Sequence, residues 1–428
     1  MLDRAGPHGA HVMHIEVHTH ALLDELHKLA SFSACPEPVP AVTRVVFTRE
    51  DQEARTWLTE RFEAAGLAVR ADAIGNTFAR WAPPGCDATA PAIGTGSHAD
   101  AIPHAGMYDG TVGVLGGLEA VRALQRAGHT PARPIDVVLF TSEEPTRFGL
   151  GCTGSRTLCG NLAPDTLAGL RDEQGVSFDE ARQSAGFSGA ISDVPLPPSA
   201  YAGFVELHIE QGPTLEQDGV DLGVVTAIAA PAAARFVVEG QGGHAGGVLM
   251  PDRHDALCAA AELTLAIERL AQASPSPDCV ATVGELAVHP GAVNSIPSRT
   301  ELSLDLRDID HDNRDAVLAD IQQAARDIAQ RRGVTMKGRV LNADAPARCD
   351  AAVISALKQA AQDAGYSHRT MVSRAYHDSL FMAGRFPTGM LFIPCRNGVS
   401  HRPDEFVEPD HLEAGVATLA RTLALLSA

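Results

Sequence analysis

The chain has 428 residues, 45% of them hydrophobic and 20% charged, which is enough for a large packed core in more than one domain. Its 53 acidic residues outnumber its 34 basic residues and give a formal net charge of -19. Because an acidic chain repels phosphate backbones, we do not expect nucleic acid as a partner.

Neither a secretory signal nor a membrane span is evident in the sequence. The first twenty residues contain no apolar core of the kind that a signal needs, and no later apolar run reaches membrane-spanning length. The eight cysteines are scattered without a C-x-x-C pair, which predicts buried thiols rather than a disulfide framework. We therefore expect a cytoplasmic protein without a membrane partner.

Predicted strands and helices alternate in the first part of the chain. A helix is predicted at 48–65, where Thr48 and Asp51 make a capping pattern and Gly66 follows. Apolar residues recur every three positions at 112–124, which predicts a second helix. The apolar run 135–140 suits a buried parallel strand. This alternation predicts an α/β layer fold with a mostly parallel sheet.

A different pattern begins near residue 230. Strands are predicted at 234–239, 280–288, 300–307 and 334–341, with helices at 252–273 and 312–332. The order βαββαβ is that of a ferredoxin-like domain. The α/β pattern then resumes with a helix at 350–364, a strand at 389–393 and a helix at 412–426. We therefore predict a catalytic domain at 1–228 and 342–428 with an inserted domain at 229–341.

Five segments concentrate histidines and carboxylates beside apolar stretches: GSHAD with YDG, FTSEE, ELHIEQG, GGHAG and VSHRP. A single histidine is more often structural than a ligand. Three of these segments, however, end or follow predicted strands, and ligands in α/β folds lie at the carboxyl ends of strands. Imidazole and carboxylate groups suit zinc, manganese or cobalt, and no cysteine lies among the segments.

The adjacent residues Glu143 and Glu144 suggest a division of labour. A carboxylate can bridge two ions about 3.5–4 Å apart, and a second carboxylate off the metal can take a proton from water. Neighbouring residues at a strand end point to opposite sides. One glutamate can therefore bind metal while the other faces the substrate.

Several longer segments resemble the di-metal amidohydrolases of the hydantoinase/carbamoylase family: GSHADAIPHAGMYDGTVGV, FTSEEPTRFGLGCTGSR, ELHIEQGPTLE, GGHAGGVLMPDRHDAL and HPGAVNSIPSRTELSLDLRD. The resemblance runs from about residue 20 to the end of the chain, in the expected order. Within the family, the stretches GVVTAIAAPA and MVSRAYHDSLFMA are most similar to the branch that acts on ureidoglycolate.

The resemblance implies a mostly parallel-sheet, di-metal aminopeptidase-like catalytic domain. Its ferredoxin-like insert would be a lid that also pairs two subunits, so a homodimer is expected. His98, Asp109 and His208 would hold one divalent ion, and Asp109, Glu144 and His401 the other, with Asp109 as the bridge. Manganese is the expected ion, although the ligands also permit zinc or cobalt.

The resemblance also implies roles in catalysis. Glu143 would be the general base, and Asp100 would accept a hydrogen bond from the His98 ring and fix its tautomer. His244 would stabilise the developing oxyanion. An alternative for Asp100 is an ordinary turn residue.

Substrate contacts are implied for Gln211, His244, Asn294 and Arg307, with Asn294 and Arg307 binding a carboxylate. An alternative for Arg307 is pairing with Asp305 or Asp308 on a solvated strand. We also include His377 of the HD pair, which either shapes the pocket or satisfies a buried turn.

The implied reaction is hydrolysis of the ureido C–N bond of a small ureido acid. Ureidoglycolate is favoured, which would place the protein in allantoin and purine degradation. Departures from the broader family at His104, Ala105, Pro145, Arg374 and Tyr376 flank the site and match that branch better. The alternatives are allantoate and N-carbamoyl-amino-acid or β-ureido-acid hydrolysis, or a binding protein of the same fold that has lost catalysis.

Overall fold

The computed structural model describes residues 14–35 and 41–428. Most of the N-terminal stretch that bears on a secretory signal, residues 1–13, lies outside the described residues. Among the described helices, none has both the length and the apolar character needed to cross a membrane.

The described residues form strands at the following positions in chain order: β1 (Val42–Arg44), β2 (Ala68–Ala71), β3 (Thr77–Trp81), β4 (Ala92–His98), β5 (Ala101–Ala105), β6 (Ile135–Phe140), β7 (Tyr201–Ile209), β8 (Leu222–Ile228), β9 (Ala230–Glu239), β10 (Gly243–His244), β11 (Val280–Thr282), β12 (Leu286–His289), β13 (Ser295–Ile296), β14 (Arg299–Asp308), β15 (Thr335–Ala343), β16 (Ala347–Arg348), β17 (His368–Ser373) and β18 (Thr388–Ile393).

The α-helices of the same residues are α1 (Thr19–Ala30), α2 (Arg49–Ala64), α3 (Thr111–Arg126), α4 (Thr153–Leu158), α5 (Pro164–Gly169), α6 (Phe178–Ser184), α7 (Thr214–Asp218), α8 (Ala256–Gln272), α9 (His311–Arg332), α10 (Ala351–Ala364), α11 (Ser379–Ala383) and α12 (Pro409–Leu426). Single 3-10 turns lie at Ile191–Asp193, Met250–Asp252 and Arg396–Gly398.

The contacts divide the chain into two compact units. The first comprises the described residues up to Thr226 together with Cys349–Met371 and His377–Ala428. The second comprises Ala227–Arg348 and Val372–Tyr376. The bounds predicted from the sequence for the inserted domain, 229–341, remain a prediction.

The first unit is built on a mixed sheet in the order β8-β18-β7-β4-β6-β3-β2. Its four central strands, β18, β7, β4 and β6, run parallel, and antiparallel strands flank them. All six residues of β6 are buried, as expected for a strand covered on both faces. The mostly parallel α/β fold predicted from the sequence is confirmed.

Helices predicted from apolar periodicity form close to their predicted limits. In α2, the side chain of Thr48 caps the helix by accepting a hydrogen bond from the Asp51 main-chain N–H. Helix α3 packs against β4 and β7 and against α12, so nearly all of its residues are buried. Helix α3 begins two residues after the candidate ligand Asp109, and its packing therefore helps to fix that residue.

The second unit has an antiparallel sheet in the order β11-β14-β9-β15, with β12 also paired to β14. Helices α8 and α9 pack against each other and against this sheet. Strand order and connections are those of a ferredoxin-like βαββαβ unit, so this part of the predicted fold is confirmed.

One predicted strand in this unit is wrong in detail. The run 280–288 forms two strands, because Thr282 pairs with Asp305 while Leu286 pairs with Leu302. Three residues therefore lie opposite two, which is a β-bulge. At the bulge the Glu285 N–H donates to Ser303 Oγ at 3.0 Å, while the Ser303 N–H donates to the Glu285 carbonyl at 3.1 Å.

Helix α12 offers a matched test of core packing. Leu419 is 0% exposed and belongs to the core of the first unit, whereas Leu425 in the same helix is 47% exposed. Leu419→Ala should lower the free energy of unfolding by about 2–5 kcal/mol through lost burial and a residual cavity. Leu425→Ala should change it by less than about 1 kcal/mol. Chemical denaturation followed by circular dichroism would measure both, and equal losses would contradict this packing.

Candidate functional site

The side chains singled out from the sequence lie where the parallel strands end. His98 is the last residue of β4, and His208 is the second-last residue of β7. Glu143 and Glu144 follow β6, and His401 follows β18. Because the carboxyl ends of parallel strands meet at one edge of a sheet, segments far apart in the sequence converge there.

The Asp109 carboxylate lies at the centre of this convergence. Its Oδ1 is 3.4 Å from His98 Nε2 and 3.2 Å from His208 Nε2. Its Oδ2 is 3.2 Å from His401 Nε2, which in turn is 3.4 Å from Glu144 Oε1. The structure thus brings together all five residues predicted as metal ligands.

These residues form two groups that share Asp109, which we call the two Asp109 clusters. The first contains His98, Asp109 and His208, and the second contains Asp109, Glu144 and His401. Within each cluster the possible ligand atoms all lie within 4.8 Å of one another. A carboxylate shared between two groups of ligands suits a pair of neighbouring cations.

Main-chain carbonyls hold two of the imidazole rings. Nδ1 of His98 lies 2.9 Å from the Asp100 carbonyl oxygen, and Nδ1 of His208 lies 2.9 Å from the Ile209 carbonyl oxygen. Because a carbonyl can only accept, each Nδ1 must carry the hydrogen and donate it. Once Nε2 has lost its own hydrogen, it carries the lone pair that a metal ligand needs.

The way in which Asp100 supports His98 differs from the prediction. The main-chain carbonyl of Asp100 accepts from the ring, whereas its carboxylate Oδ1 is 3.8 Å from Nδ1. That carboxylate instead accepts hydrogen bonds from the main-chain N–H groups of Glu143, at 3.2 Å, and Glu144, at 3.0 Å. These two N–H groups follow the end of β6, so they lie outside the main-chain hydrogen bonds of that strand. Asp100 therefore orients the glutamate pair as well as the histidine.

Burial and neighbouring side chains shift the pKa values of Glu143, Glu144 and Asp109. Burial raises the pKa of Glu143 well above its usual range, against the opposing effect of His98. Burial and the nearby Asp109 raise the pKa of Glu144 to about 7. Burial also opposes ionisation of Asp109, but hydrogen bonds from His208, His401 and His98 hold its pKa well below the usual range. Glu143 is thus suited to hold a proton while Asp109 stays ionised.

The donor set fits divalent cations. The clusters offer imidazole nitrogens and carboxylate oxygens, and none of the clusters found among the described residues contains a cysteine. Such a set suits manganese, zinc or cobalt.

Gln211 lies at the centre of the site rather than beside it. Its Nε2 donates to Asp109 Oδ2 at 2.7 Å and lies 3.4 Å from Ser400 Oγ. A substrate contact for Gln211 remains a prediction. The structure gives it a hydrogen bond to the shared carboxylate.

Two residues that the sequence did not single out support Asp109. The buried Glu405 accepts hydrogen bonds from the main-chain N–H groups of Tyr108, at 2.8 Å, and Asp109, at 3.1 Å. Ser400 Oγ lies 2.8 Å from Asp109 Oδ2 and 2.9 Å from Glu405 Oε2. The only sequence signal for either residue is its proximity to His401 in the segment VSHRPDEF.

His377 is buried against a candidate ligand. Its ring centroid lies 4.5 Å from that of His208, and His377, His208 and Glu206 form a third group of possible ligand atoms. The neighbouring Asp378 accepts a hydrogen bond from Ser155 Oγ at 2.5 Å. A substrate role for His377 remains a prediction.

The other residues with predicted substrate roles belong to the second unit. His244 is exposed in β10, which pairs with β13, and the Ala245 N–H donates to the carbonyl of exposed Asn294 at 2.9 Å. Arg307 makes a two-pronged ion pair with Asp305, at 2.8 and 2.9 Å. This pairing is the alternative considered for Arg307, and its binding of a substrate carboxylate remains a prediction.

A glycine allows the close approach of α3 to the His98 ring. Gly110 has a φ of 65°, and a Cβ at this position would collide with the ring atoms of His98. Gly128, after the other end of α3, has a φ of 69°, and a Cβ there would meet no atom within 4 Å.

Alanine at the two glycines should therefore have different effects. Each substitution carries the cost of left-handed backbone, about 1–2 kcal/mol. Gly110→Ala should in addition displace His98 and weaken Mn²⁺ binding by about 10-fold or more. Gly128→Ala should leave Mn²⁺ affinity unchanged. Calorimetric Mn²⁺ titration of both variants would measure the difference, and equal affinities would refute the proposed contact.

Comparisons with known proteins agree with this architecture. Residues 94–425 match the model of peptidase family M20/M25/M40. The ureidoglycolate hydrolase of Arabidopsis thaliana is 50% identical over 420 residues, covering 96% of this chain and 87% of that protein. The N-carbamoyl-L-amino acid amidohydrolase of Geobacillus stearothermophilus is 37% identical over 388 residues, covering 90% and 94%.

Solved structures of one protein, AtUAH, are also similar to this chain. The complex with (S)-hydroxyglycine superposes with a TM-score of 0.90 and the complex with glyoxylate with a TM-score of 0.89. Both are 48% identical in sequence, and both alignments cover 97% of this chain and 99% of AtUAH. By its family match and by these relatives, the chain belongs to peptidase family M20/M25/M40.

Proposed function

We propose that this protein is a metal-dependent amidohydrolase that cleaves the ureido C–N bond of (S)-ureidoglycolate. The observation that carries the proposal is the pair of Asp109 clusters with Glu143, outside both clusters, beside them. The substrate is supported by 50% identity to a ureidoglycolate hydrolase and by AtUAH complexes with (S)-hydroxyglycine and glyoxylate.

The reaction balances with one water. The water forms a bond to the ureido carbon as the bond between that carbon and the nitrogen on the α-carbon breaks, which gives carbamate and hydroxyglycine. Carbamate then breaks down to ammonia and carbon dioxide. Hydroxyglycine loses ammonia to leave glyoxylate. The products are glyoxylate, two ammonia molecules and carbon dioxide.

The residues divide the work as follows. When bound, a pair of divalent cations would polarise the ureido carbonyl and lower the pKa of water. His98, Asp109, Glu144, His208 and His401 would hold them. Glu143, whose Oε2 lies 3.8 Å from Nε2 of His98, takes a proton from the attacking water and delivers it to the departing nitrogen.

The metal and the substrate contacts are also proposals. We assign manganese, on the resemblance noted from the sequence, to a donor set that would accept zinc or cobalt as well. We assign substrate binding to Gln211, Asn294, Arg307 and His377, and oxyanion stabilisation to His244. In this assignment Arg307 exchanges its Asp305 partner for the substrate carboxylate.

We further propose a homodimer formed through the second unit. Large apolar side chains are exposed on that unit, including Leu265 in α8 and Leu341 in β15. Light scattering coupled to gel filtration would give twice the chain mass for a homodimer.

A side-by-side substrate assay tests the proposed function. With Mn²⁺ added, (S)-ureidoglycolate should be turned over with a kcat/KM at least about 10-fold above those of allantoate and an N-carbamoyl-L-amino acid. Ammonia should appear from ureidoglycolate at twice the amount of glyoxylate. The Glu143→Gln variant and enzyme treated with a chelator serve as controls.

Each other outcome has a definite meaning. If the enzyme preferred allantoate or the carbamoyl amino acid, the proposed reaction would stand and its substrate would be reassigned. Failure to turn over all three, together with no bound metal after Mn²⁺ incubation, would identify a binding protein that has lost catalysis.

A further inference from the structure

A buried cysteine lies against the proposed general base. Cys152 immediately precedes α4, is 0% exposed and has a φ of 53°. Its Sγ lies 3.3 Å from Oε1 of Glu143 in hydrogen-bond geometry. Left-handed backbone costs a non-glycine residue about 1–2 kcal/mol, so the surrounding structure must impose this conformation on Cys152.

Main-chain hydrogen bonds hold the turn at Cys152 against the segment that carries Glu143. The Cys152 N–H donates to the Glu143 carbonyl at 2.7 Å. The Thr153 N–H donates to the Ser142 carbonyl at 2.9 Å, and the Gly154 N–H donates to the Thr141 carbonyl at 2.8 Å. The main chain therefore holds together the two backbone segments from which the thiol and the carboxylate extend.

The two oxygens of Glu143 face different groups. Oε1 faces the Cys152 thiol, whereas Oε2 lies 3.8 Å from Nε2 of His98 in the first Asp109 cluster. Burial raises the pKa of the Cys152 thiol well above its usual range, so the thiol keeps its proton and can donate it. A donor at Oε1 leaves Oε2 as the oxygen directed at the reacting groups.

We propose that Cys152 is a positioning residue for Glu143, its thiol donating to Oε1 and so holding Oε2 toward the Asp109 clusters. This inference rests on the proposed role of Glu143 as general base. Without the donor, the buried Oε1 loses its partner and the carboxylate can rotate away from its working orientation.

Three single variants test the inference by kinetics. Cys152→Ala should lower kcat about 10- to 100-fold while KM stays within about 2-fold, because a misplaced base slows chemistry rather than binding. Cys152→Ser restores a donor and should recover most of the loss. Cys159→Ala removes another buried thiol close to α4, one that contacts Met382 rather than Glu143, and should leave kcat unchanged.

A double variant and a spectroscopic measurement separate positioning from general destabilisation. Adding Cys152→Ala to Glu143→Gln should cause no further loss of kcat, since both act through one carboxylate. In infrared difference spectra, the S–H stretching band lost in Cys152→Ala should shift when Glu143 is replaced by Ala. The band lost in Cys159→Ala should not shift.

Contrary results would overturn the inference without touching the proposed function. Unchanged kcat in Cys152→Ala, equal losses in the Ala and Ser variants, or an S–H band that ignores Glu143→Ala would each exclude positioning. The infrared result needs no substrate. It therefore stands even if the wild-type protein fails to hydrolyse ureidoglycolate, which would refute the proposed function instead.

Discussion

Glu143→Gln is expected to suppress turnover about 10³-fold while leaving both cations bound, because general acid–base groups typically contribute 10²–10⁴-fold. The amide keeps the shape of the side chain and its acceptor for the Cys152 thiol, but it cannot take a proton from water. Glu143 belongs to neither Asp109 cluster, so metal binding does not depend on it. Steady-state kinetics and metal analysis on the same sample would measure the two effects.

Replacing the neighbouring Glu144 provides the matched control for Glu143→Gln. Glu144 belongs to the second Asp109 cluster, and its main-chain N–H shares the Asp100 carboxylate with that of Glu143. Glu144→Gln should therefore lose metal from that cluster, whereas Glu143→Gln should lose only rate. If Glu143→Gln lost metal, or if it kept the wild-type rate, the assignment of base and ligand would be reversed or wrong.

Asp109→Ala should abolish binding at both metal positions, because the two clusters have this one carboxylate in common. Activity should fall by at least about 10³-fold, as it does when a member of a catalytic unit is removed. His401→Ala should lose only the cation of the second cluster, since His98 and His208 still flank Asp109 Oδ1. Metal analysis after incubation with Mn²⁺ and gel filtration would count the ions per chain.

A variant in the same loop controls for surface charge. Asp404 lies three residues after His401, pairs with exposed Arg402 and belongs to neither cluster. Asp404→Asn should therefore keep the wild-type number of ions. Retention of two ions by Asp109→Ala would contradict a shared carboxylate.

Periodicity predicted most elements that bury a continuous face. The run 135–140 forms β6 with the predicted limits, and the three-residue repeat at 112–124 forms α3. Strand β4 is harder to predict, because Gly94 and Gly96 interrupt its apolar pattern. At those positions the absent side chains make room for Phe204 and for the main chain of Val138 on neighbouring strands. Such close approaches depend on tertiary partners that a local pattern does not contain.

The candidate site was likewise predicted only in part. Residue types and family resemblance predicted the five convergent residues, but not how they are supported. His98 is held by the carbonyl of Asp100 rather than its carboxylate, and the main chain of Asp109 is held by Glu405, 296 positions later in the chain. The choice between a carbonyl and a carboxylate is decided by local backbone direction. A partner so distant in sequence becomes a neighbour only when the sheet is assembled.

A crystal structure of Mn²⁺-loaded protein, with anomalous difference density measured near the manganese edge, tests the central claim most directly. We expect two peaks in each chain, one within ligand distance of His98 and His208, the other of Glu144 and His401, with Asp109 touching both. A single peak, or peaks away from these side chains, would contradict the di-metal account.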